Sequence, residues 1–388
     1  MRCRSRIVAA IAMSLTLVAV AHDVNATESR KQRVGARSEN LMRQEALARE
    51  KVNNWTIGVA GGLLEGAPIR FAVEVARAVD AGDDLHVLPI VTRGPAENVE
   101  SLLYLRGVDL AVLNTDSLEQ FKPLVPNIRQ RISYVVNLFP SELHIFVRPE
   151  INSVEDLAGK KVNFNTPGTA AAYSGPLIFE RLGVNVEKVF VPHQSAVEAM
   201  KKGDIAAVVF VTSKPVDAFA KARWEAGYKF LPVPYDKRFE DYYLPSTLTS
   251  ADYPQLIPAG EKVSTIAVST FLAAYSWPKD AARYPRVARF VDRLFGGIEK
   301  LQAPGFHPKW ADVDIGAVVP GLERFSAAQE WLDRHASKAD IASTGAAGPS
   351  RDDKLVKSLI ARELPGNATE QDRLRREFDE WRRQRQQQ

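Results

Sequence analysis

The chain has 388 residues, of which 45% are hydrophobic and 25% are charged, a mix that excludes a mainly disordered, collagen-like or multi-spanning membrane protein. Its 51 basic and 47 acidic residues give a formal net charge of only +4, whereas a dedicated nucleic-acid binder usually carries a larger and more clustered basic excess. The single cysteine, Cys3, excludes an internal disulfide, a cysteine-based zinc site and an iron–sulfur cluster.

The first 26 residues have the pattern of a secretory signal peptide. Three arginines precede an uncharged apolar run over residues 7–20, and small-residue cleavage sites follow at 19–21 and 24–26. An uncleaved membrane anchor is the alternative, but the run is short for a spanning helix. Cleavage after Ala26 would leave a mature chain without cysteine, which suits an oxidising compartment. We therefore expect a periplasmic protein whose signal peptide is removed.

The next segments predict a charged leader and then the first part of an α/β lobe. Residues 27–53 are polar and highly charged, which indicates a mobile leader or one exposed helix. The first part of lobe 1 is predicted over 54–145, and its pattern alternates between strands at 55–60, 85–91 and 110–113 and helices at 67–79 and 97–105. Alternation with short connections predicts a mostly parallel sheet covered by helices.

The same alternation restarts and predicts a second lobe over 146–262. Strands at 134–139 and 143–147 lead into it, and its own elements are strands at 161–165, 188–191 and 206–211 and helices at 171–182, 195–202 and 214–222. A strand at 265–275 and a helix at 277–300 return the chain to lobe 1 over 263–336. The chain therefore crosses between the lobes near 143–148 and 265–275.

The C-terminal residues 337–388 are predicted to lie outside both lobes. Residues 337–351 are rich in Ala, Ser, Gly and Pro and indicate a linker. Residues 352–388 carry alternating charges around an apolar helical stripe. They predict either a solvated helical tail or a partner-binding helix.

Three strand-to-helix junctions carry glycines and short polar side chains at the carboxyl ends of predicted strands, where open α/β sheets bind ligands. Glycines let the backbone approach a ligand, and the first N–H groups of a helix favour an anion such as a carboxylate. Each junction alone is typical of an ordinary turn with a helix cap, but three from two lobes predict a site for a small organic anion. The predicted ligand-binding residues are Gly61, Gly62, Leu63, Asn114, Thr115, Asp116, Asn165, Thr166, Gly168, Thr169 and Ala170, with Phe210 on the strand at 206–211.

Signals for catalysis or metal binding are weak. No two histidines stand three to five residues apart, and the P-loop and G-x-S-x-G motifs are missing from the sequence. His193 is either an acid–base group or a loop histidine before a helix capped by Ser195. The acidic and aromatic stretch 235–243 is either a binding rim or an exposed connector. The sequence thus predicts no catalytic residue, no metal ligand and no cofactor.

An ordered series of segments resembles the TAXI branch of solute-binding proteins from TRAP transporters. The series includes Ile57-Gly58 with Gly61-Gly62, Ser-Val-Glu-Asp-Leu-Ala-Gly-Lys-Lys-Val at 153–162, Thr-Pro-Gly-Thr at 166–169 and Ile-Pro-Ala-Gly at 257–260. It spans about residues 55–332. The resemblance implies a two-lobed periplasmic-binding-protein fold, type II-like, with a ligand cleft between the lobes.

The resemblance also implies partners, namely a small organic acid or amino acid and TRAP-type membrane permease subunits. Two loops depart from the family pattern. Residues 167–171 read Pro-Gly-Thr-Ala-Ala where the family has Pro-Gly-Ser-Gly-Thr, and residues 114–116 read Asn-Thr-Asp where it has Gln-Ser-Asp. Both lie in the predicted pocket, so the family's ligand does not transfer directly.

These observations predict a monomeric, extracytoplasmic solute-binding protein. It would capture a small anionic carboxylate or amino acid by hinged closure and deliver it to the permease. A ligand-sensing or protein-interaction module on the same fold is the alternative. An enzyme fits less well, because fold alone does not give function and no placed catalytic group is evident. Nucleic acid is not an expected partner.

Overall fold

The computed structural model describes residues 33, 35–64, 66–80 and 84–343, with side chains as far as residue 336. The predicted signal peptide and the tail at 352–388 lie outside these residues. Residues 35–54 form an exposed helix, α1, which is one of the two alternatives for the leader. Within the described ranges, no helix is both long and apolar enough to cross a membrane.

The first part of the globular unit follows the predicted alternation of strands and helices. Its elements are β1 (Thr56–Ala60), α2 (Ala67–Val79), β2 (His86–Ile90), α3 (Pro95–Tyr104), β3 (Leu110–Asn114) and the short helices α4 (Ser117–Phe121) and α5 (Ile128–Arg131). Helices α2 and α3 each have a proline in the first turn, where the missing N–H would have no partner anyway. Strand β1 pairs in parallel with both β2 and β3.

Two long antiparallel strands connect the lobes: β4 (Ile132–Val147) and β10 (Lys262–Tyr275). Strand β4 pairs with β10 as far as Glu142, and from Glu142 onward it pairs with β7 (Ala207–Thr212). Strand β10 pairs with β3 in its second half and with β9 (Tyr243–Thr249) in its first half. Both strands therefore change partners at the same level of the sheet.

Lobe 2 carries its own parallel strands and helices. Its remaining elements are β5 (Lys161–Asn163), α6 (Ala170–Leu182), β6 (Glu187–Val189), α7 (His193–Lys202), α8 (Asp217–Ala220) and β8 (Lys229–Phe230). After β10 the chain forms the helices α9 (Tyr284–Gly296) and α10 (Ile298–Leu301), and a last helix, α11 (Ser326–Ser343), begins at the end of the first compact unit and continues into a second unit. Strand β5 pairs in parallel with β6 and β7. The sheet order is β2-β1-β3-β10-β4-β7-β5-β6, with β8 on β4 and β9 on β10.

Several predicted elements need correction. The predicted strands at 134–139 and 143–147 are one strand, because Pro140 lies within the ladder opposite Ser269 and the fixed φ of proline is compatible with extended chain. The predicted helix at 214–222 shortens to the four residues of α8, and the one at 277–300 begins only at Tyr284 and is interrupted at Gly297. Helix α11 extends to Ser343, so the predicted linker begins as helix.

The lobes have separate hydrophobic cores. In lobe 1, α3, β3 and the start of β4 enclose buried side chains such as Val99, Leu113 and Phe271. In lobe 2, one cluster around Phe164 and Phe179 lies under α6. A second cluster around Phe146, Met200 and Phe219 lies under α7. The fold is therefore a mixed α/β fold with two lobes, as predicted.

Candidate functional site

The junction after β3 lies beside the point where the long strands change partners. The amide of Asn114 donates to Thr270 Oγ1 at 3.0 Å, and Thr270 shares a 2.7 Å hydrogen bond with Ser141 of β4. The Thr115 N–H donates to the carbonyl of Ser269 at 3.0 Å. These bonds attach the predicted binding loop to both crossing strands.

Asp116, the last predicted residue of this junction, is fully buried against lobe 2. Its Oδ2 accepts hydrogen bonds from Ser174 Oγ at 2.5 Å and from Tyr243 OH at 3.1 Å, whereas its Oδ1 accepts none. Burial raises the pKa of Asp116 to about 6, although the two hydroxyls and the nearby N–H groups of Asp116 and Ser117 act to lower it. Those N–H groups do not reach hydrogen-bonding geometry with Oδ1. Among the described residues, one carboxylate oxygen of Asp116 is therefore buried without a donor.

The contacts of Asp116 bridge the two lobes. Ser174 belongs to α6 and Tyr243 begins β9, and both elements are part of lobe 2. A second bridge joins backbones: the Ala96 N–H lies 3.4 Å from the Gly168 carbonyl oxygen. A Cβ on Gly94, whose φ is +133°, would come within 2.7 Å of the same oxygen. The lobes thus meet at Asp116 and at the Gly94–Gly168 approach.

The first junction, after β1, is held mainly by internal hydrogen bonds. The Gly61 carbonyl accepts from the Asn98 amide at 2.8 Å, and the Gly62 carbonyl accepts from the Thr92 N–H at 3.0 Å. A Cβ on Gly61 would lie 2.7 Å from Cα of Ile69, so the glycine allows α2 to pack closely on β1. Leu63, two residues on, is half-buried and its carbonyl accepts from Gly66.

The third junction leads from β5 into α6. Asn165 adopts the left-handed conformation with φ of 61°, which asparagine tolerates, and the chain turns there through Thr166 toward the helix. Thr169 is the N-cap: its Oγ1 accepts from the Ala172 N–H at 3.3 Å and donates to the Thr166 carbonyl at 2.8 Å. The N–H groups of Ala170 and Ala171 have no partner among the described residues, so they can donate to an anion.

Phe210 lies apart from this set. Its ring stacks on His193 with 3.4 Å between centroids and packs against Phe219 in the core under α7. His193 is the first residue of α7, so the predicted cap at Ser195 is wrong. Because His193 Nε2–H donates to the carbonyl of Val209 and burial lowers its pKa to about 4, the ring is neutral and structural.

The stretch 235–243 divides between the two interpretations that the sequence allowed. Asp236 and Arg238 form a local, partly exposed ion pair, as expected for a connector, whereas Tyr243 donates a hydrogen bond to Asp116.

Sequence reasoning did not find Ser174, which has no motif around it and lies 58 residues from Asp116 in the chain. It also did not find Asn163, whose buried Nδ2 has no acceptor in the part of the chain that the structure describes. Within the described residues, no three His, Cys, Asp or Glu side chains form a group that could hold a metal ion.

Comparison with known proteins identifies the family. Residues 71–284, more than half of the chain and covering both bridges between the lobes, match the sequence profile of the NMT1-like family. The chain belongs to the NMT1-like family. The match begins inside α2 and ends at Tyr284, so it includes every predicted binding residue except those of the first junction.

Solved structures similar to this NMT1-like chain have low sequence identity. PhnD1 from Prochlorococcus marinus, solved with methylphosphonate, is 12% identical over 64% of this chain and 85% of its own, with a TM-score of 0.42. The periplasmic VFT2 domain of BvgS from Bordetella pertussis is 14% identical over 69% and 97%, with a TM-score of 0.38. A mutant of ArgBP from T. maritima is 15% identical over 66% and 94%, with a TM-score of 0.36.

Proposed function

We propose that the chain is an extracytoplasmic solute-binding protein that closes its two lobes over a small organic anion. The observation that carries the proposal is the bridge at Asp116. A buried side chain at the carboxyl end of a lobe 1 strand is held by hydroxyls from two elements of lobe 2. Carboxyl ends of strands are where open α/β sheets bind ligands, and contacts between lobes are what hinged closure makes and breaks.

The start of α6 supports an anionic group on the solute. The helix has 13 residues, and the N–H groups of Ala170 and Ala171 in its first turn have no protein partner in the described part of the chain. Free N–H groups and the helix dipole together favour a carboxylate. Binding at this position would place the solute beside the Gly94–Gly168 bridge.

The hydrogen bonding of the buried histidines favours binding over catalysis. His144 Nδ1–H donates to the carbonyl of Glu142, so its Nε2 accepts from Tyr253 OH at 2.7 Å. Burial lowers the pKa of His144 to about 3. His307 accepts from the Lys309 N–H, and burial lowers its pKa to about 4. The rings of His144 and His307, like the ring of His193, therefore make hydrogen bonds that stabilise the fold. None of the three forms a hydrogen bond with Asp116 in the described part of the chain.

The proposal also includes export of the protein to the periplasm and delivery of the solute to a membrane permease. The signal-peptide pattern at 1–26 supports a periplasmic location, and the TAXI resemblance supports TRAP-type permease subunits as the partner. N-terminal sequencing of protein from the periplasmic fraction should find Thr27 at the start. A chain that still contains residues 7–20 would contradict export with cleavage. Loss of uptake of the same solute in cells lacking the permease genes would support delivery.

Native mass spectrometry of protein purified from its host tests the binding function. We expect a retained small organic acid or amino acid. Protein stripped of it by unfolding and refolding should gain thermal stability when the solute is returned, by about 2.7 kcal/mol at 100 times Kd. The absence of any retained molecule, together with unchanged melting in the presence of organic acids and amino acids, would contradict the proposal.

A further inference from the structure

Glu142 lies where strand β4 changes partners, and both oxygens of its carboxylate accept a hydrogen bond. It is the last residue of β4 to pair with β10 and the first to pair with β7. Its Oε1 accepts from Lys309 Nζ at 3.0 Å, and its Oε2 accepts from the backbone N–H of Lys214 at 2.9 Å. The side chain of Glu142 is only 1% exposed, so solvent has little access to replace either donor. We call these three groups the Glu142 bridge.

The Lys309 end of the Glu142 bridge is fixed to lobe 1. Lys309 belongs to the short 3₁₀ helix Pro308–Asp312, in which the neighbouring Trp310 is fully buried. The ring of Trp310 stacks on Phe71 with 4.5 Å between centroids, and its Nε1 donates to Glu74 Oε2 at 2.8 Å. Because Phe71 and Glu74 both belong to α2, these contacts hold the 3₁₀ helix against lobe 1.

The Lys214 end of the bridge is fixed to lobe 2. Lys214 follows β7, and its Nζ donates to the Thr247 carbonyl of β9 at 2.5 Å and to Asp252 Oδ2 at 3.0 Å. Asp252 also accepts from the N–H and the hydroxyl of Thr249, at 2.9 and 2.8 Å. The carboxylate of Glu142 therefore receives one donor from each lobe.

The Glu142 side chain points away from the junction that follows β3. Successive side chains of a strand point to opposite faces of the sheet, so Glu142 lies on the other face from Ser141, which shares a hydrogen bond with Thr270. In the same structure, Asp116 accepts hydrogen bonds from lobe 2. The arrangement in which the lobes meet at Asp116 is thus also one in which Glu142 has both of its donors.

A rotation of the lobes that separated Lys309 from Lys214 would leave the Glu142 carboxylate with a single donor. Removing one partner from a buried ion pair is strongly destabilising. We propose that the Glu142 bridge stabilises the closed arrangement of the lobes from outside the candidate site. This inference rests on the lobe closure of the proposed function and adds a positioning residue that determines how readily the lobes open.

Two variants break the bridge in different ways. A carboxylate has two acceptor oxygens and an amide has one, so Glu142→Gln can accept from Lys309 or from the Lys214 N–H but not from both. Combining Glu142→Gln with Lys309→Met removes the bridge without leaving a buried lysine unpaired. The double variant therefore keeps the test available if the single variant folds poorly.

Pulsed electron–electron double resonance between labels on the two lobes tests the inference. Arg106→Cys in lobe 1 and Lys188→Cys in lobe 2, both exposed positions, provide the labels in the mature chain. We compare protein as purified from its host with protein stripped by unfolding and refolding. In at least one of these preparations, Glu142→Gln and the double variant should shift the distance distribution toward longer distances than in the wild type.

Asp252→Asn is the matched control. It breaks an ion pair within lobe 2 whose side chains are both 17% exposed, and it leaves the three groups of the Glu142 bridge in place. The distance distribution should therefore stay as in the wild type. Unchanged distributions for the bridge variants in both preparations, a shift toward shorter distances, or an equal shift in Asp252→Asn would overturn the inference.

Native mass spectrometry of the same preparations separates failure of the inference from failure of the function. A wild type that retains a solute, together with unchanged distributions in the bridge variants, would overturn the role of Glu142 and leave the binding function standing. A wild type that retains no solute would count against the binding function, whereas a shift toward longer distances in the bridge variants alone would still support the role of Glu142.

Discussion

At the scale of single residues, Asp116 and Asn98 show two ways of burying a polar side chain at one edge of the lobe 1 sheet. Asn98 donates to the carbonyls of Gly61 and Val112, both at 2.8 Å, and accepts from Thr92 Oγ1 at 2.6 Å. The amide of Asn98 is therefore fully hydrogen-bonded within the folded lobe, and a structural role is enough to account for its burial. Asp116, in contrast, keeps one buried oxygen that has no donor among the described residues, so the hydrogen bonds of the fold do not fully satisfy it.

The raised pKa of Asp116 predicts how the free energy of unfolding depends on pH. Burial raises the pKa from 3.8 to about 6, so between these values the folded state binds a proton more tightly than the unfolded chain. The free energy of unfolding should therefore fall as pH rises through this window, by about 3 kcal/mol for solute-free protein. Asp116→Asn should remove that loss, so the variant should gain stability over wild type between pH 4 and pH 7.

Denaturant unfolding of both proteins at several pH values measures this difference. The exposed Asp204→Asn serves as the control, because it removes a surface carboxylate that makes no hydrogen bond to any other described residue. Parallel stability–pH curves for wild type and Asp116→Asn would mean that Asp116 is not buried in its charged form.

At the scale of elements, the crossing of β4 and β10 contains a buried ion network. Glu142, 1% exposed, accepts from Lys309 Nζ at 3.0 Å and from the backbone N–H of Lys214 at 2.9 Å. Lys214 Nζ in turn donates to Asp252 at 3.0 Å. Burial raises the pKa of Glu142, and Lys309 opposes that rise. The network joins the crossing strand to segments of both lobes at the level where the proposed closure would pivot.

Removing one partner of this network should be more destabilising than removing both. Lys309→Met leaves a buried carboxylate with one backbone donor and should lower the free energy of unfolding by about 3 kcal/mol. Combining it with Glu142→Gln should recover most of the loss. As a control, Lys221→Met breaks an exposed pair with Asp217 and should change stability by less than about 1 kcal/mol. Additive effects in the double variant would contradict a coupled pair.

Local sequence patterns predicted most elements of the fold. The bounds of α2 coincide with the prediction, since its apolar period, first-turn proline and end at Val79 are all local signals. Elements that are defined by pairing between distant parts of the chain were harder to predict from the sequence. Strand β9 depends on its ladder with β10 and was not predicted, and the continuity of β4 through Pro140 depends on two partner strands.

In the candidate site, too, local features could be predicted from the sequence and contacts between distant residues could not. The three junctions could be predicted as candidate binding loops because strands ending in glycines and short polar residues have a local signature. The partners of Asp116 were not assigned, because Ser174 lies inside a helix and Tyr243 is 127 residues away in the chain. Which polar groups satisfy each other across the lobes is a property of tertiary structure, and one sequence contains no direct signal for it.

At the scale of the whole molecule, the Gly94–Gly168 approach predicts a variant that folds but closes poorly. A Cβ on Gly94 would lie 2.7 Å from the Gly168 carbonyl oxygen, so Gly94→Ala should hold the lobes apart. Solute affinity should fall roughly 10-fold or more, equivalent to at least about 1.4 kcal/mol. Gly107→Ala is the matched control, since Gly107 also has a positive φ but no atom within 4 Å of its Cβ position.

Both glycine variants should lose some stability, because alanine is strained at positive φ. Only Gly94→Ala should lose affinity in calorimetric titration with the retained solute. If Gly107→Ala lost as much affinity, backbone strain would explain the effect and the steric account of closure would be wrong.

The measurement that bears most directly on the central claim is the distance between the lobes with and without solute. Spin labels at Arg106→Cys and Lys188→Cys, both exposed positions, report on lobe 1 and lobe 2 in the mature chain, residues 27–388, which contains no other cysteine. Pulsed electron–electron double resonance measures the distribution of distances between the two labels. For stripped protein this distribution should be broad and centred on a longer distance, and with the retained solute it should be narrower and centred on a shorter one, because a ligand drives closure by binding the closed state better. The same distribution in both states, in protein shown by calorimetry to be saturated, would contradict closure on a solute.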